Sequence, residues 1–241
     1  MLIAPQNSPP EELLSANLLS VRRHIAAAAL ADGRSVDSVT LIAVSKGVGI
    51  ERMRAAVRCG VTHFGESYLQ EALPKLEALR GLPLTWHFIG RVQANKTRQI
   101  AAGFDWVHGI DRLHVAERLA AQRPPGAAPL NLCIQINIEN DGAKAGIRPQ
   151  DAAELAAAIA PLPHLRLRGL MCMLPEGRDR AASRRGYAAL RRLFDQLTAA
   201  GLPLDTLSMG MSGDYVEAIM EGATLVRVGT AIFGSRAAAL R

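Results

Sequence analysis

The feature that most limits how this chain can fold is a regular alternation of short apolar runs with longer amphipathic stretches, sustained from residue 39 to residue 228. Short runs rich in Val, Ile and Leu read as strands buried on both faces, and such strands belong to parallel sheets covered by helices. The strand-like runs are Val39–Val44, Val61–Phe64, Leu84–Ile89, Trp106–His108, Leu130–Ile138, Leu165–Met171, Thr206–Met209 and Thr224–Val228. Helical periodicity falls near Glu51–Cys59, Ser67–Leu79, Asn95–Ala101, Leu113–Ala121, Ala152–Ile159, Ala181–Ala199 and Asp214–Met220. A further helix, Glu11–Leu30, precedes the first strand, and residues 1–10, with three prolines, read as a flexible tail. Eight βα units in 241 residues predict an α/β fold, a single (β/α)8 TIM barrel over residues 11–241 with an extra N-terminal helix. A doubly wound open sheet competes less well. Its fingerprint would begin at Gly47-Val48-Gly49, which lacks the third glycine and the downstream acidic partner.

Composition narrows the functional classes. With 49% hydrophobic and 21% charged residues the chain builds a core, and no apolar run approaches the roughly 20 residues needed to cross a bilayer. The N-terminus lacks a signal-peptide layout, so a cytoplasmic protein with no membrane partner is expected. Cys59, Cys133 and Cys172 are odd in number and lie among apolar residues, which suits buried thiols rather than disulfides. A net charge of +6 raises the question of nucleic acid. The densest arginine stretch, Arg178–Arg192, is interleaved with Ala and Leu at helical spacing, and aromatics make up only 4%. That describes a solvated helix face without base-stacking platforms, so no nucleic-acid partner is expected. The positive charge would still attract a small anion such as a phosphate ester.

Four of the 28 basic residues are lysines, and one of them, Lys46, ends the first strand-like run. Under the barrel reading it stands at the mouth where barrel sites form. An ammonium pressed against apolar neighbours loses hydration, and the free amine can attack a carbonyl to form a Schiff base; the plainer alternative is a lysine capping a strand end. Two loops offer an anion cradle. Ser208-Met209-Gly210-Met211-Ser212-Gly213-Asp214 follows the seventh strand and Arg227-Val228-Gly229-Thr230 the eighth, each leading into a helix-like segment. Their glycines admit backbone N–H groups, Ser212 and Thr230 can donate, and a helix N-terminus would add a positive dipole; ordinary N-caps are the plainer reading. An amine and a phosphate cradle together suit pyridoxal 5'-phosphate, whose aldehyde and phosphate need both. Arg227 could then donate to the ring nitrogen without protonating it, or alternatively pair with Glu66 or Asp214. His63, His87 and His108 show no metal-binding spacing and read as satisfied interior residues, so no metal is expected.

Several stretches carry a resemblance: Ala43-Val44-Ser45-Lys46, Phe64-Gly65-Glu66-Ser67-Tyr68, Trp86-His87-Phe88-Ile89-Gly90, Gln93-Ala94-Asn95-Lys96, Leu167-Arg168-Gly169-Leu170-Met171, Leu207-Ser208-Met209-Gly210-Met211-Ser212 and Val226-Arg227-Val228-Gly229-Thr230. In order and spacing they resemble the pyridoxal phosphate homeostasis protein family, the YggS/PROSC group. The resemblance implies a barrel similar to the alanine racemase N-terminal domain, with pyridoxal 5'-phosphate (PLP) as cofactor and Lys46 as its Schiff-base lysine. It implies that Arg227 faces the pyridine nitrogen, that Ser212, Gly229 and Thr230 hold the phosphate, and that Ser67, Ser208 and Met211 line the pocket. His87, Asn95 and Met171 would lie around the ring or its approach.

Two departures stand out: Ser67 replaces the family's usual Asn, and Gly47-Val48-Gly49 is smaller and uncharged, which predicts a looser rim. The resemblance implies a holder of intracellular PLP, and of other B6 vitamers, that could serve PLP-dependent apoenzymes as a monomer or weak dimer. A weak PLP-dependent racemase is the alternative. Racemisation needs acid/base groups on both faces of the cofactor, and neither Tyr68, Tyr187 nor Tyr215 has a clear case for supplying the second, so no enzymatic turnover is expected.

Overall fold

A computed structural model describes residues 11–139 and 145–234; the proposed tail, residues 1–10, lies outside them. Eight parallel strands close into a barrel in sequence order: β1 (Thr40–Val44), β2 (His63–Glu66), β3 (Thr85–Phe88), β4 (Trp106–Ile110), β5 (Leu130–Gln135), β6 (Leu165–Met171), β7 (Thr206–Ser208) and β8 (Leu225–Val228). Closure is made between β1 and β8, where Thr40 to Ala43 register against Leu225 to Val228. The open-sheet alternative is thereby excluded. The strands end in buried residues, as expected when one face looks into a filled barrel and the other lies under helices.

The outer layer is α1 (Glu11–Ala31), α2 (Ile50–Arg58), α3 (Leu69–Ala78), α4 (Thr97–Gly103), α5 (Leu113–Gln122), α6 (Ala152–Ile159), α7 (Arg180–Ala199), α8 (Tyr215–Ile219) and α9 (Thr230–Phe233). Leu14, Leu18, Val21, Ile25, Ala28 and Ala29 make the buried stripe of α1, spaced three, four and seven apart. That stripe covers the closure seam, because α1 contacts α2, α8 and α9. Asn17 reinforces the seam by donating to the Ile232 carbonyl at 3.1 Å, and Arg34 by donating to the Ile219 and Ala223 carbonyls. Cys133 and Cys172 are buried and Cys59 half-buried, all three as free thiols; burial pushes the Cys133 and Cys172 pKa values up to about 12. Among the described residues no helix is long and apolar enough to cross a membrane.

Candidate functional site

At the C-terminal ends of the strands a cleft of about 460 Å³ opens, bounded by the loops after β1, β2, β3, β6, β7 and β8. Lys46 and Ser67 form one side of its lining, and Met211, Ser212, Gly229 and Thr230 the other, with Arg227 at its base. Lys46 is exposed, not pressed against apolar neighbours as its sequence context suggested. The strand ends at Val44, two residues before Lys46, and the chain then turns through Gly47, whose φ of +74° favours glycine.

That turn is held from both sides. Lys75, on α3, donates to the Ser45 carbonyl at 2.7 Å, to Glu66 Oε1 at 2.8 Å and to Glu71 Oε1 at 2.6 Å. The Ser45 hydroxyl donates to the same Glu66 oxygen at 2.6 Å, and the Gly47 N–H donates to Glu71. Both residues flanking Lys46 are therefore tied to one buried cation and its two carboxylates. Burial raises the Glu66 pKa, against the opposing pull of Lys75 and Ser45. The Val48 N–H closes the turn on the Ser45 carbonyl at 2.9 Å, and the Val48 side chain is buried. The Gly47 and Val48 backbones are thus both hydrogen-bonded within this turn.

Between β7 and β8, Ser212 Oγ accepts from the Gly229 N–H at 3.2 Å and the Ala231 N–H at 3.3 Å, which leaves its hydroxyl proton to donate. Asp214 braces this loop by accepting from the Met211 N–H and from the Tyr187 hydroxyl, both at 2.7 Å. A Cβ on Gly229 would lie 3.2 Å from the Val44 carbonyl, so the bare backbone lets the cradle close on β1. The helices behind the two loops are short: α9 has four residues and α8 five, so a helix dipole adds little to this cradle.

Arg227 is only 3% exposed, and burial lowers its pKa. It donates to Ser208 Oγ at 2.6 Å and to the Cys172 carbonyl at 2.8 Å; neither Glu66 nor Asp214 pairs with it. Ser208 continues into the barrel interior. His108 Nδ1 lies 2.7 Å from Ser208 Oγ, His87 Nδ1 3.0 Å from His108 Nε2, and His63 Nδ1 2.9 Å from His87 Nε2. Desolvation lowers all three histidine pKa values, that of His87 well below the ordinary range and that of His108 to about 3. Each ring is then neutral with one donor and one acceptor, so the three bonds must run in a single direction. His87 and Ser208 thus stand behind Arg227 instead of lining the cleft, and Met171 is buried at the end of β6. Asn95 is exposed in a short turn before α4, away from the cleft lining.

The family model described as the alanine racemase N-terminal domain matches residues 17–237, which include all eight strands of this closed parallel barrel. A Pseudomonas aeruginosa pyridoxal phosphate homeostasis protein is 50% identical over 223 residues, 92% of this chain and 96% of its own. The Escherichia coli K12 protein of the same name is 46% identical over 227 residues, 91% of this chain and 95% of its own. PipY of Synechococcus elongatus, solved with PLP bound, superposes with a TM-score of 0.81 at 37% identity, over 92% of this chain and all of that one. This chain belongs to the pyridoxal phosphate homeostasis protein family. These relatives are named as homeostasis proteins and not as enzymes.

Proposed function

We propose that the chain binds PLP in the barrel-mouth cleft, held covalently by Lys46, and serves intracellular PLP homeostasis as a holder of the cofactor without turnover. The observation that carries this reading is the convergence of an exposed amine, an uncharged hydroxyl and amide cradle and a buried arginine on one cleft. When bound, PLP supplies an aldehyde for a primary amine and a phosphate for the cradle. Lys46 provides that amine from a turn fixed at Ser45 and Gly47. Ser212, Gly229 and Thr230 receive the phosphate. Two of the five N–H groups of Arg227 are committed to Ser208 and Cys172, which fixes the guanidinium plane and leaves others to donate to the ring nitrogen. A permanently cationic donor there leaves that nitrogen unprotonated and weakens the ring as an electron sink, which suits holding over catalysis.

The tyrosines support the same reading. The Tyr187 hydroxyl donates to Asp214, the Tyr215 hydroxyl pairs with His24 at 3.1 Å, and Tyr68, 60% exposed, is not part of the cleft lining. None faces Lys46 across the cleft as a second base. The test is a visible-absorbance titration of the apoprotein with PLP, followed by a panel of D- and L-amino acids on the loaded protein. Saturation at one equivalent with no sustained turnover is expected. Absence of binding would defeat the first half of the proposal, and turnover lost in Lys46→Ala would defeat the second.

A further inference from the structure

We propose that Arg52 is the counter-cation for the phosphate in this cleft and makes the site selective for phosphorylated over unphosphorylated B6 vitamers; the inference rests on the functional reading above. Arg52 lies in the first turn of α2 and lines the cleft with Gly229, Thr230 and Phe233. Its Nη2 donates to the Phe233 carbonyl at the last residue of α9, and its guanidinium carbon sits 5.9 Å from the Phe233 ring centre. The cradle is at the other end of that single turn, about 6 Å away by helix rise. A guanidinium anchored through one nitrogen keeps further donors for a ligand. Among the described residues no carboxylate lies within ion-pair distance of Arg52, Glu176 and Asp214 of the same lining included, and burial lowers its pKa, so a partly dehydrated cation stands in the cleft without a direct ion-pair partner.

The other cations of the lining have different commitments. Arg227 is tied to Ser208 and Cys172 at the base, Arg178 pairs with Glu139, and Lys46 is the amine for the aldehyde. The cradle of Ser212, Gly229 and Thr230 carries no net charge, which leaves a phosphate dianion there with Arg52 as its charge partner. The experiment compares PLP with pyridoxal, which has the same ring and aldehyde without phosphate, by absorbance titration of wild type, Arg52→Met and Arg52→Lys. Arg52→Met is expected to weaken PLP binding about tenfold to a hundredfold while leaving pyridoxal binding within about twofold, and Arg52→Lys to recover most of the loss. A parallel fall for both ligands would assign Arg52 to bracing α9 and overturn the proposal, as would unchanged PLP binding. Melting curves of the three apoproteins identify a folding defect, in which case the Arg52→Lys comparison decides. If the wild type itself fails to bind PLP, the functional reading falls, an outcome distinct from an unchanged PLP-to-pyridoxal ratio.

Discussion

Acidification should unfold this protein through its interior histidines before most of its carboxylates titrate. The folded-state pKa of His108 is lowered from 6.5 to about 3 by desolvation, assisted by Arg227. Its folded-state pKa lies below its unfolded value, so the unfolded chain takes up the proton first. The stability contributed by the neutral ring is complete above pH 6.5 and declines as pH falls towards 3. At pH 5 the unfolded chain has gained 1.5 pH units of proton affinity that the folded chain forgoes, which amounts to about 2 kcal/mol for His108 alone. His87 and His63 shift in the same direction, with His63 partly exposed. The assay is urea unfolding at pH 7.5 and 5.0 of wild type and His108→Gln, a change that keeps a hydrogen-bonding side chain between His87 and Ser208. Contributions from other groups, including Glu66 with its raised pKa, cancel in the comparison. The variant should lose about 2 kcal/mol less than wild type between the two pH values. Equal losses would show that His108 is not held neutral, and the single-direction hydrogen-bond column would fall with it.

Three further outcomes follow from particular contacts. Glu71→Ala removes the acceptor for the Gly47 N–H and one partner of Lys75, whereas Glu71→Gln keeps an acceptor oxygen. The alanine variant should lose about 1 kcal/mol in thermal or urea melts and bind PLP more weakly, with the glutamine variant nearer wild type in both. Gly169→Ala should abolish soluble folded protein, because its Cβ would lie 1.8 Å from the Thr206 carbonyl between β6 and β7; a wild-type melting curve would contradict the packing. Ser212→Ala should leave the Gly229 and Ala231 N–H groups without their side-chain acceptor and raise the Kd for PLP about tenfold, read by the same absorbance titration.

The barrel was legible because its evidence is local. Apolar runs and helical periodicity locate Leu165–Met171 and Ala152–Ile159 with their observed bounds. The second strand is misplaced, expected at Val61–Phe64 and found at His63–Glu66, because Gly65 and Glu66 do not look like strand interior. Only tertiary pairing, which brings Ser45 beside β2 and Lys75 of α3 against Glu66, supplies the partners that allow a carboxylate to end a buried strand. The helix-like segment expected after Arg227-Val228-Gly229-Thr230 is the short turn Thr230–Phe233, whose bounds the sequence could not give because four residues are too few to show periodicity. Lys46 and the two glycine-bearing loops could be assigned to one mouth because each follows a strand of the same barrel. The Lys75 clamp and the histidine column could not, since their members lie far apart in sequence and meet only through tertiary pairing. The Glu71–Lys75 half of the clamp, spaced four apart on a helix, carried the one local signal. Arg52 was hidden for another reason: an arginine on an amphipathic helix reads as solvated face until the neighbouring loop is seen.

Lys46 is proposed to hold the aldehyde of PLP. Borohydride reduction of the loaded protein, followed by proteolysis and mass mapping of the pyridoxyl label, tests it most directly. The label is predicted on the peptide containing Lys46, with none recovered from Lys46→Ala. Recovery on Lys75 or Lys96, or equal labelling of the Lys46→Ala protein, would contradict the account.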